Sequence, residues 1–228
     1  MYEFKVPSLF LSPHPDDLVY SAFCALTENA GAGTAVVFFN VSRFTKRGLL
    51  PKYFVTVTRS VEEKLILARL RISSSLLWME DSSCRQHPID QDSVRSKLIP
   101  FRGTYQYIFC PLGVSGHLDH LAVRSAGVDY WLKSGKRSRI CFYEDLPYAG
   151  RMKEIESELD SCMSELTKCC GRLSIYYNSM NADLIQRKLF FSRLYLTQNN
   201  HTKLLKKHAE ELGKQCKREY AERYVSSA

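Results

Sequence analysis

Two short clusters of histidine and aspartate contain side chains that bind metal ions and move protons. The first is His14, Asp16 and Asp17, in a Ser-Pro-His-Pro-Asp-Asp run that directly follows the apolar residues 9–11. The second is Gly-His-Leu-Asp-His, over residues 116–120. A catalytic zinc site takes three protein ligands from His and Asp or Glu and leaves one position to water. Together the clusters contain enough ligands for one such site, with acid and base groups to spare.

Three of these residues are expected to be metal ligands. His14 and Asp17 lie three positions apart at a predicted strand-to-helix turn, where both side chains can converge on one ion. His120 would complete the set from the second cluster. The expected cofactor is Zn²⁺, or another divalent ion such as Fe²⁺, which would lower the pKa of a bound water to about 7 and polarise a carbonyl oxygen.

The other residues of the clusters would then perform the acid–base chemistry. Asp16, adjacent to a ligand, would take the proton of water as a general base. His117 would stabilise a tetrahedral oxyanion or protonate the leaving amine. Asp119 is expected to orient His117 and to hold it cationic, a role that carboxylates often have beside the histidines of metal sites.

Each cluster also has an ordinary structural explanation. A Pro-Asp-Asp turn commonly marks the start of a helix, because Asp is favoured as an N-cap and complements the helix dipole. Two histidines three positions apart at a helix start are often a solvated pair. The catalytic interpretation therefore depends on whether the fold brings the two clusters together.

The first 145 residues alternate short apolar runs with helical patterns. The runs are apolar at consecutive positions, which is typical of strands buried on both faces. Ser60 and Glu63 match a capping box. The alternation predicts an α/β fold, a Rossmann-like three-layer αβα sandwich with a mostly parallel sheet. Strands are predicted at 8–12, 34–42, 75–79, 107–111 and 139–144, and helices at 18–29, 60–71, 92–99 and 118–133.

This topology places the clusters at one edge of the sheet. In open parallel sheets, ligands bind beyond the carboxyl ends of the strands. The first cluster follows the strand at 8–12, and the second follows the strand at 107–111. The strand at 139–144 ends at the same edge, so Tyr143, Glu144 or Tyr148 is expected to line the pocket, and Tyr143 is the expected substrate contact. This shared position favours catalysis over two unrelated helix starts.

The pattern becomes mostly helical after Pro147. Helices are predicted at 152–170, 182–196 and 201–224, with a brief strand at 173–178. We expect one domain over 1–228, made of a Rossmann-like core at 1–148 and a helical completion at 149–228. The basic loop 42–53 is expected to form a flap at the active edge. Three further histidines have no partner at ligand spacing and are predicted to lie on the surface: His87, His201 and His208.

Composition limits the classes of partner. The chain has 228 residues, 45% of them hydrophobic, and no apolar run long enough to span a membrane. Its net charge is +8, but the cations of the C-terminal third alternate with glutamates, which is typical of a solvated face. Basic patches with interleaved aromatics are absent, so no nucleic-acid partner is expected. An anionic small-molecule substrate and a homo-oligomer stay open. The eight scattered cysteines indicate a reducing, cytoplasmic location.

The two clusters resemble the paired motifs of the PIG-L/LmbE family of metal-dependent N-deacetylases, A-H-P-D-D-E and G-H-x-D-H-x-x-V, the second of which also matches at Val123. Weaker similarities extend along the chain. Arg59, Glu62 and Ala68 resemble the helix after the second strand of the family, and Asp81 resembles an aspartate that follows its third strand. The segments 195–198 and 222–224 resemble a Y-x-S-Q element and a terminal E-R-F.

The resemblance implies hydrolysis of an N-acetyl group, often on a 2-acetamido sugar. It implies metal ligation by His14, Asp17 and His120. It assigns the base to Asp16 and the oxyanion-binding acid to His117. Contacts with the amino-sugar substrate are implied for Arg59 and Asp81.

Two departures from the family pattern concern the substrate. Leu18 replaces the glutamate after the two aspartates, which removes a peripheral carboxylate but no ligand or base. The usual T-x-G-E-x-G loop is replaced at 41–48 by a segment containing Arg43, Lys46 and Arg47. These cations suggest a different, more anionic substrate. Two alternatives stay open: an amide hydrolase acting on a non-sugar acylated amine, and a catalytically silent sugar- or nucleotide-binding module.

Overall fold

A seven-stranded sheet forms the centre of the computed structural model, which describes residues 6–227. The strand order is β5-β2-β1-β6-β7-β9-β8. The first five strands in this order pair in parallel, whereas β9 is antiparallel to both β7 and β8. The strands are β1 Ser8–Ser12, β2 Gly33–Val37, β5 Ser73–Leu76, β6 Tyr107–Pro111, β7 Arg139–Tyr143, β8 Leu173–Met180 and β9 Tyr220–Ser227, and a separate hairpin comprises β3 Phe44–Thr45 and β4 Gly48–Leu49.

Eight α-helices flank the sheet in the described part of the chain. The prediction of an α/β fold with a mostly parallel sheet is confirmed. Residues 1–5 and 228 of the expected single domain lie outside the described residues. The helices are α1 Asp17–Ser21, α2 Phe23–Glu28, α3 Lys52–Arg69, α4 Gln91–Ser96, α5 Leu118–Lys133, α6 Ile155–Cys170, α7 Ala182–Arg193 and α8 Thr202–Gln215.

The central strands are apolar at consecutive positions because helices cover both faces of the sheet. All five residues of β1 are buried. The rings of Phe10 and Phe109 stack across β1 and β6 with centroids 4.7 Å apart. Helix α5 packs closely on these strands at Gly127, where a Cβ atom would overlap Leu11 and Cys110. This close packing fixes the position of the helix that begins beside the second cluster.

The region after β2 differs from the prediction. Strand β2 ends at Val37, and helix α3 begins at Lys52, within the expected basic flap. The capping box is wrong, because Ser60 lies inside α3 and its Oγ accepts a hydrogen bond from Asn40 Nδ2 at 3.1 Å. Glu63 is fully buried rather than placed at a helix start. The basic segment therefore consists of the β3–β4 hairpin and the first turn of α3.

The end of the chain is a strand and not the predicted helical continuation. Helix α8 ends at Gln215, and all eight residues of β9 are buried. Glu222 and Arg223 suggested a solvated helix face, but both are buried and paired. Glu222 accepts hydrogen bonds from the backbone N–H groups of Phe23 and Cys24, and Arg223 pairs with Glu144. These long-range partners satisfy charges that local sequence patterns assign to solvent.

Within residues 6–227, no helix combines the length and the apolar character needed to cross a membrane. All eight cysteines are free thiols.

Candidate active site

The first cluster lies on a tight turn between β1 and α1. Ser12 Oγ donates to the carbonyl of His14 at 2.7 Å, and the backbone N–H of His14 donates to Asp17 Oδ2 at 2.8 Å. Asp16 has a φ of 95°, a left-handed conformation that is costly for a residue with a Cβ. Its side chain makes no capping hydrogen bond although it occupies the N-cap position of α1. The N-cap explanation therefore does not account for the Asp16 carboxylate.

Three buried side chains from the two clusters converge. Ligand atoms of His14, Asp17 and His120 all lie within 4.8 Å of one another. Asp17 Oδ2 is 3.3 Å from His14 Nδ1 and 3.5 Å from His120 Nε2. Burial opposes ionisation of Asp17, but the neighbouring His120 and His14 lower its pKa below the usual range. The carboxylate stays charged between two imidazoles, which suits a cation.

His120 has one nitrogen bound and one free. Its Nδ1 lies 2.6 Å from Asp145 Oδ1, whereas its buried Nε2 makes no hydrogen bond within the described residues. Asp145 is itself held by the backbone N–H groups of Gly113 and Val114. A metal-bound histidine commonly donates its other N–H to a carboxylate in this way. The free Nε2 therefore fits a metal ion, and sequence reasoning missed Asp145, whose only signal is its position after β7.

Asp119 holds His14 and not His117, which corrects the expected orientation of His117. Asp119 Oδ2 lies 2.9 Å from His14 Nε2, and Asp119 Oδ1 lies 2.7 Å from Arg85 Nη2. Despite burial, His14 and Arg85 lower the pKa of Asp119 to about 2. A second grouping of His14, His117 and Asp119 is also compact. It is a poorer metal site, because its Asp119 is already occupied by Arg85 and His14.

The carboxylates of Asp17 and Asp119 favour a positive charge on His14. Burial alone would lower the pKa of this imidazole, but Asp119 and Asp17 together raise it to about 10. With Nε2 donating to Asp119, Nδ1 is the nitrogen that faces Asp17 and His120. Either a proton or a metal ion on this nitrogen would satisfy the two carboxylates. The donor set therefore fits a divalent cation.

Asp16 lies beside this group and is not among its ligands. Burial raises the pKa of Asp16 well above its usual value, and Arg59 opposes the shift. Arg59 Nη2 lies 3.9 Å from Asp16 Oδ1 and donates to the carbonyl of Pro15 at 3.2 Å. A carboxylate whose pKa is moved towards neutrality in a cleft has the character of a general base.

His117 caps helix α5 and is neutral. Its Nδ1 accepts a hydrogen bond from the backbone N–H of Asp119 at 3.3 Å, which leaves the proton on Nε2. Burial and the nearby His14 and His120 lower its pKa to about 4. The expectation that His117 is held cationic is therefore wrong. In the neutral form its Nε2–H can still donate a hydrogen bond to an oxyanion.

A cleft of about 360 Å³ opens onto these residues. Arg59 and Asp81, for which the resemblance implies substrate contacts, both line it, and Arg59 Nη1 lies 3.7 Å from Asp81 Oδ2. Tyr148, one of the three residues expected to line the pocket after β7, does line it, and so does Tyr20, which was not predicted. The buried hydroxyl of Tyr20 has no hydrogen-bond partner among the described residues. A volume of this size suits a small polar molecule.

Tyr143 does not line the cleft, which corrects the expected substrate contact. Its side chain is fully buried, and its hydroxyl donates to the carbonyl of Leu11 at 2.7 Å. Tyr148 lines the cleft instead, and its ring centroid lies 5.6 Å from that of His120. Strand β7 ends at Tyr143, so the chain reaches the cleft only in the following turn.

Two other histidines differ from the prediction of surface positions. His208 is buried, with Nε2 2.7 Å from Glu144 Oε2. His201 is half-buried and lines the cleft near Arg151. Among the described residues, neither histidine belongs to a group of side chains that could hold a metal ion together with His14, Asp17 and His120.

Similar proteins include one curated relative. The 2'-N-acetylparomamine deacetylase of Streptomyces fradiae is 30% identical over 172 residues. The match covers 66% of this chain and 61% of the relative, so the chain spans about three fifths of that protein's length.

Solved structures share the fold over nearly the whole chain. The zinc-inhibited form of teicoplanin deacetylase has a TM-score of 0.72 and 20% identity, with 96% of this chain and 97% of that chain covered. N,N'-diacetylchitobiose deacetylase from Pyrococcus horikoshii has a TM-score of 0.70 and 16% identity, with coverages of 99% and 85%. The 4-carboxy-2-hydroxymuconate hydratase GalB from Pseudomonas putida also has a TM-score of 0.72, with 16% identity and coverages of 97% and 96%. The fold alone therefore does not decide the reaction.

The family comparison covers the part of the chain that contains both clusters. The sequence profile of PIG-L, GlcNAc-PI de-N-acetylase, matches residues 9–131, which is more than half of the chain. The match begins in β1 and ends within α5, whereas Asp145 lies beyond it. As the paired motifs predicted, the chain belongs to the PIG-L family.

Proposed function

We propose that this protein is a metal-dependent N-deacetylase that hydrolyses the acetamide of an N-acetylated amino sugar or of its conjugate. Zn²⁺ is the proposed metal and Fe²⁺ the alternative. The convergence of His14, Asp17 and the free Nε2 of His120 next to Asp16 carries the proposal. Relatives named as deacetylases of paromamine and chitobiose derivatives support it.

His14, Asp17 and His120 would hold the metal. A bound divalent ion supplies Lewis acidity that activates water and polarises the acetyl carbonyl. Asp119 and Asp145 hold the two imidazoles in the tautomers that leave His14 Nδ1 and His120 Nε2 free. This arrangement restricts ring rotation, so the ligand nitrogens keep one orientation.

Asp16 is proposed as the general base. It accepts a proton from the water that attacks the acetyl carbon and then returns it to the departing amine nitrogen. Burial raises its pKa towards the range in which such transfer is efficient, and Arg59 limits that rise. The left-handed turn at Asp16 directs this residue into the cleft instead of into a helix cap.

His117 is proposed to stabilise the oxyanion of the tetrahedral intermediate. Its neutral imidazole carries the proton on Nε2, because Nδ1 accepts from the backbone of Asp119. A donor held in place by a helix cap needs no reorganisation when charge develops on the substrate oxygen. With a pKa of about 4, His117 acts by donating a hydrogen bond and not as a cationic acid.

Substrate contacts are proposed for Arg59, Asp81, Tyr20 and Tyr148, which line the cleft. The β3–β4 hairpin adds Phe44 to the same cleft. The hairpin also contains exposed cations that make no ion pair within residues 6–227. We propose that they favour an anionic group on the substrate conjugate. These cations are Arg43, Lys46 and Arg47.

Acetate release from a substrate panel tests the proposal. The protein is stripped with a chelator, reloaded with Zn²⁺ or Fe²⁺, and given N-acetylglucosamine conjugates with neutral and phosphate-bearing aglycones. N-acetyl-lysine serves as the non-sugar amide. We expect metal-dependent release from the sugars, faster with the anionic aglycone. Release from N-acetyl-lysine alone would instead support the non-sugar amide hydrolase.

Variants separate the assigned roles. Asp16→Asn is expected to lower acetate release by about 10²-fold or more while the metal content stays unchanged. His14→Ala and Asp17→Ala are expected to lose the metal. Asp160→Asn, an exposed aspartate on α6, is the matched control. Full activity in Asp16→Asn would disprove its role as base, and absence of both metal binding and hydrolysis would identify a silent binding module.

A further inference from the structure

A second cavity lies at the opposite edge of the sheet from the catalytic cleft. It has a volume of about 640 Å³, which is larger than that of the cleft. Gln106 and Ser138, which line it, directly precede β6 and β7. The catalytic residues follow the carboxyl ends of strands, and a five-residue strand is about 17 Å long. This cavity is therefore separate from the site of deacetylation, and we call it the amino-edge groove.

The amino-edge groove has an unbalanced positive charge. Arg102, Lys133 and Arg137 line it, and all three are exposed. None of them makes an ion pair or a side-chain hydrogen bond within residues 6–227. Arg95 also lines the groove, but it is neutralised by Asp92 at 3.1 Å and Asp129 at 2.6 Å. No acidic side chain lines the groove in the described part of the chain.

The groove also contains apolar and aromatic surface. The rings of Tyr105 and Tyr130 are half-buried, and the lining also includes the buried side chain of Leu98. The hydroxyl of Tyr130 is held by the carbonyl of Phe101 at 2.6 Å, which fixes its ring. Ser138 Oγ donates to the carbonyl of Tyr105 at 2.6 Å, so a hydrogen bond joins the segment before β7 to the segment before β6. The lining is thus ordered by side-chain to backbone hydrogen bonds.

These features differ from those of an ordinary solvated basic face. In a solvated face, cations are interspersed with acids, as they are on α8, where Lys206 and Lys207 pair with Glu210 and Glu211. Here three cations surround a concave surface without an acidic partner. Small-ligand sites are typically concave and apolar with a few convergent polar groups. Arginine and lysine side chains are the usual ligands of phosphate groups.

We propose that the amino-edge groove binds a small organic phosphate, with the phosphate held by Arg102, Lys133 and Arg137 and an apolar or planar portion against Tyr105 and Tyr130. The proposal concerns a site beyond the deacetylase function and does not depend on it. A ring system would use the aromatic surface, and two or more negative charges would match the three cations.

Isothermal titration of the full-length protein tests the proposal. The probes are ADP, glucose 6-phosphate, pyrophosphate and phosphate-free adenosine. We expect ADP to bind more tightly than pyrophosphate or adenosine, and its affinity to fall as salt is raised, because exposed charges are screened. The triple variant Arg102→Gln, Lys133→Gln, Arg137→Gln is expected to bind ADP at least about tenfold more weakly, since charge-assisted hydrogen bonds are lost.

A matched variant controls for net charge. Lys168→Gln, Arg172→Gln and Arg187→Gln remove two arginines and one lysine from exposed positions outside the groove. This variant is expected to bind ADP like the wild type, and thermal unfolding verifies that both triple variants are folded. Failure of every phosphate to bind, or equal binding by the two triple variants, would overturn the proposal. So would single-stranded RNA binding more tightly than all small phosphates and losing affinity in the groove variant, since that would identify a nucleic-acid surface.

Discussion

Asp145 Oδ1 lies 2.6 Å from His120 Nδ1, and this contact determines which imidazole nitrogen is free to bind a metal. The other oxygen of Asp145 accepts from the backbone N–H groups of Gly113 and Val114. The loop after β6, the turn after β7 and the start of α5 are thus joined at one carboxylate. The orientation of a proposed ligand therefore depends on a residue outside both sequence motifs.

Replacement of Asp145 by Asn is expected to weaken metal binding by about 10–100-fold. The amide oxygen would stay with the backbone N–H groups, so the amide NH₂ would face His120 and favour the tautomer protonated on Nε2. Competition with a chelator measures the zinc affinity. Asp160→Asn is the control, and an unchanged affinity in Asp145→Asn would show that this contact does not set the tautomer.

Substitution of His117 by Ala is expected to reduce acetate release by about 10²–10³-fold without loss of metal. The rate falls because the Nε2–H donor is lost. The metal is kept because the proposed ligands His14, Asp17 and His120 are unchanged. His117→Gln retains a donor and is expected to recover part of the rate. Removal of the cap on α5 should also cost about 1 kcal/mol of stability. His201→Ala, also in the cleft, is the control for general disruption, and a wild-type rate in His117→Ala would contradict the role.

Glu63 is expected to make folding less favourable as the pH rises. Burial raises its pKa from 4.5 to about 7, although hydrogen bonds from Tyr195 and the backbone of Asp16 oppose the shift. The raised folded-state pKa means that its stabilising contribution is complete below about pH 4.5 and is lost as the pH rises through 7. The size of the effect is about 3 kcal/mol.

The measurement compares urea unfolding of the wild type and Glu63→Gln at about pH 5 and pH 8. The variant should lose less stability than the wild type over this interval. Glu211→Gln, on an exposed face of α8, should behave like the wild type. Parallel pH profiles for the wild type and Glu63→Gln would show that Glu63 does not titrate in this range.

The buried ion pair between Lys188 and Glu222 is expected to be essential for stability. Lys188 Nζ lies 2.7 Å from Glu222 Oε1, and both side chains are almost fully buried. Lys188→Met leaves a buried carboxylate without its cation, so a loss of about 3 kcal/mol is expected in chemical unfolding. The double variant with Glu222→Gln should regain part of this loss.

An exposed ion pair provides the comparison. Lys207 Nζ lies 3.6 Å from Glu211 Oε1 on α8, and Lys207→Met should change the free energy of unfolding by less than about 1 kcal/mol. Equal effects of Lys188→Met and Lys207→Met would mean that burial does not increase the contribution of the Lys188 pair.

The fold could be predicted from sequence where patterns are local. Consecutive apolar residues in β1, β6 and β7 indicated strands covered on both faces, and the paired motifs indicated the family. The strand Tyr220–Ser227 could not be recognised, because Glu222 and Arg223 are satisfied by groups distant in sequence. A charged residue whose partner lies on another element has the same local pattern as one facing water.

The sequence by itself determined the residue types of the site and the edge of the sheet where they meet. The position of each cluster directly after a predicted strand, together with the rule that ligands bind beyond the carboxyl ends of parallel strands, suffices for that placement. Only the tertiary structure decided the partners: Asp119 binds His14 instead of His117, Asp145 holds His120, and Tyr143 is buried in the core. Spacing along the chain determines which side chains can reach one edge. Their hydrogen bonds depend on packing between elements, because an angstrom of displacement exchanges one partner for another.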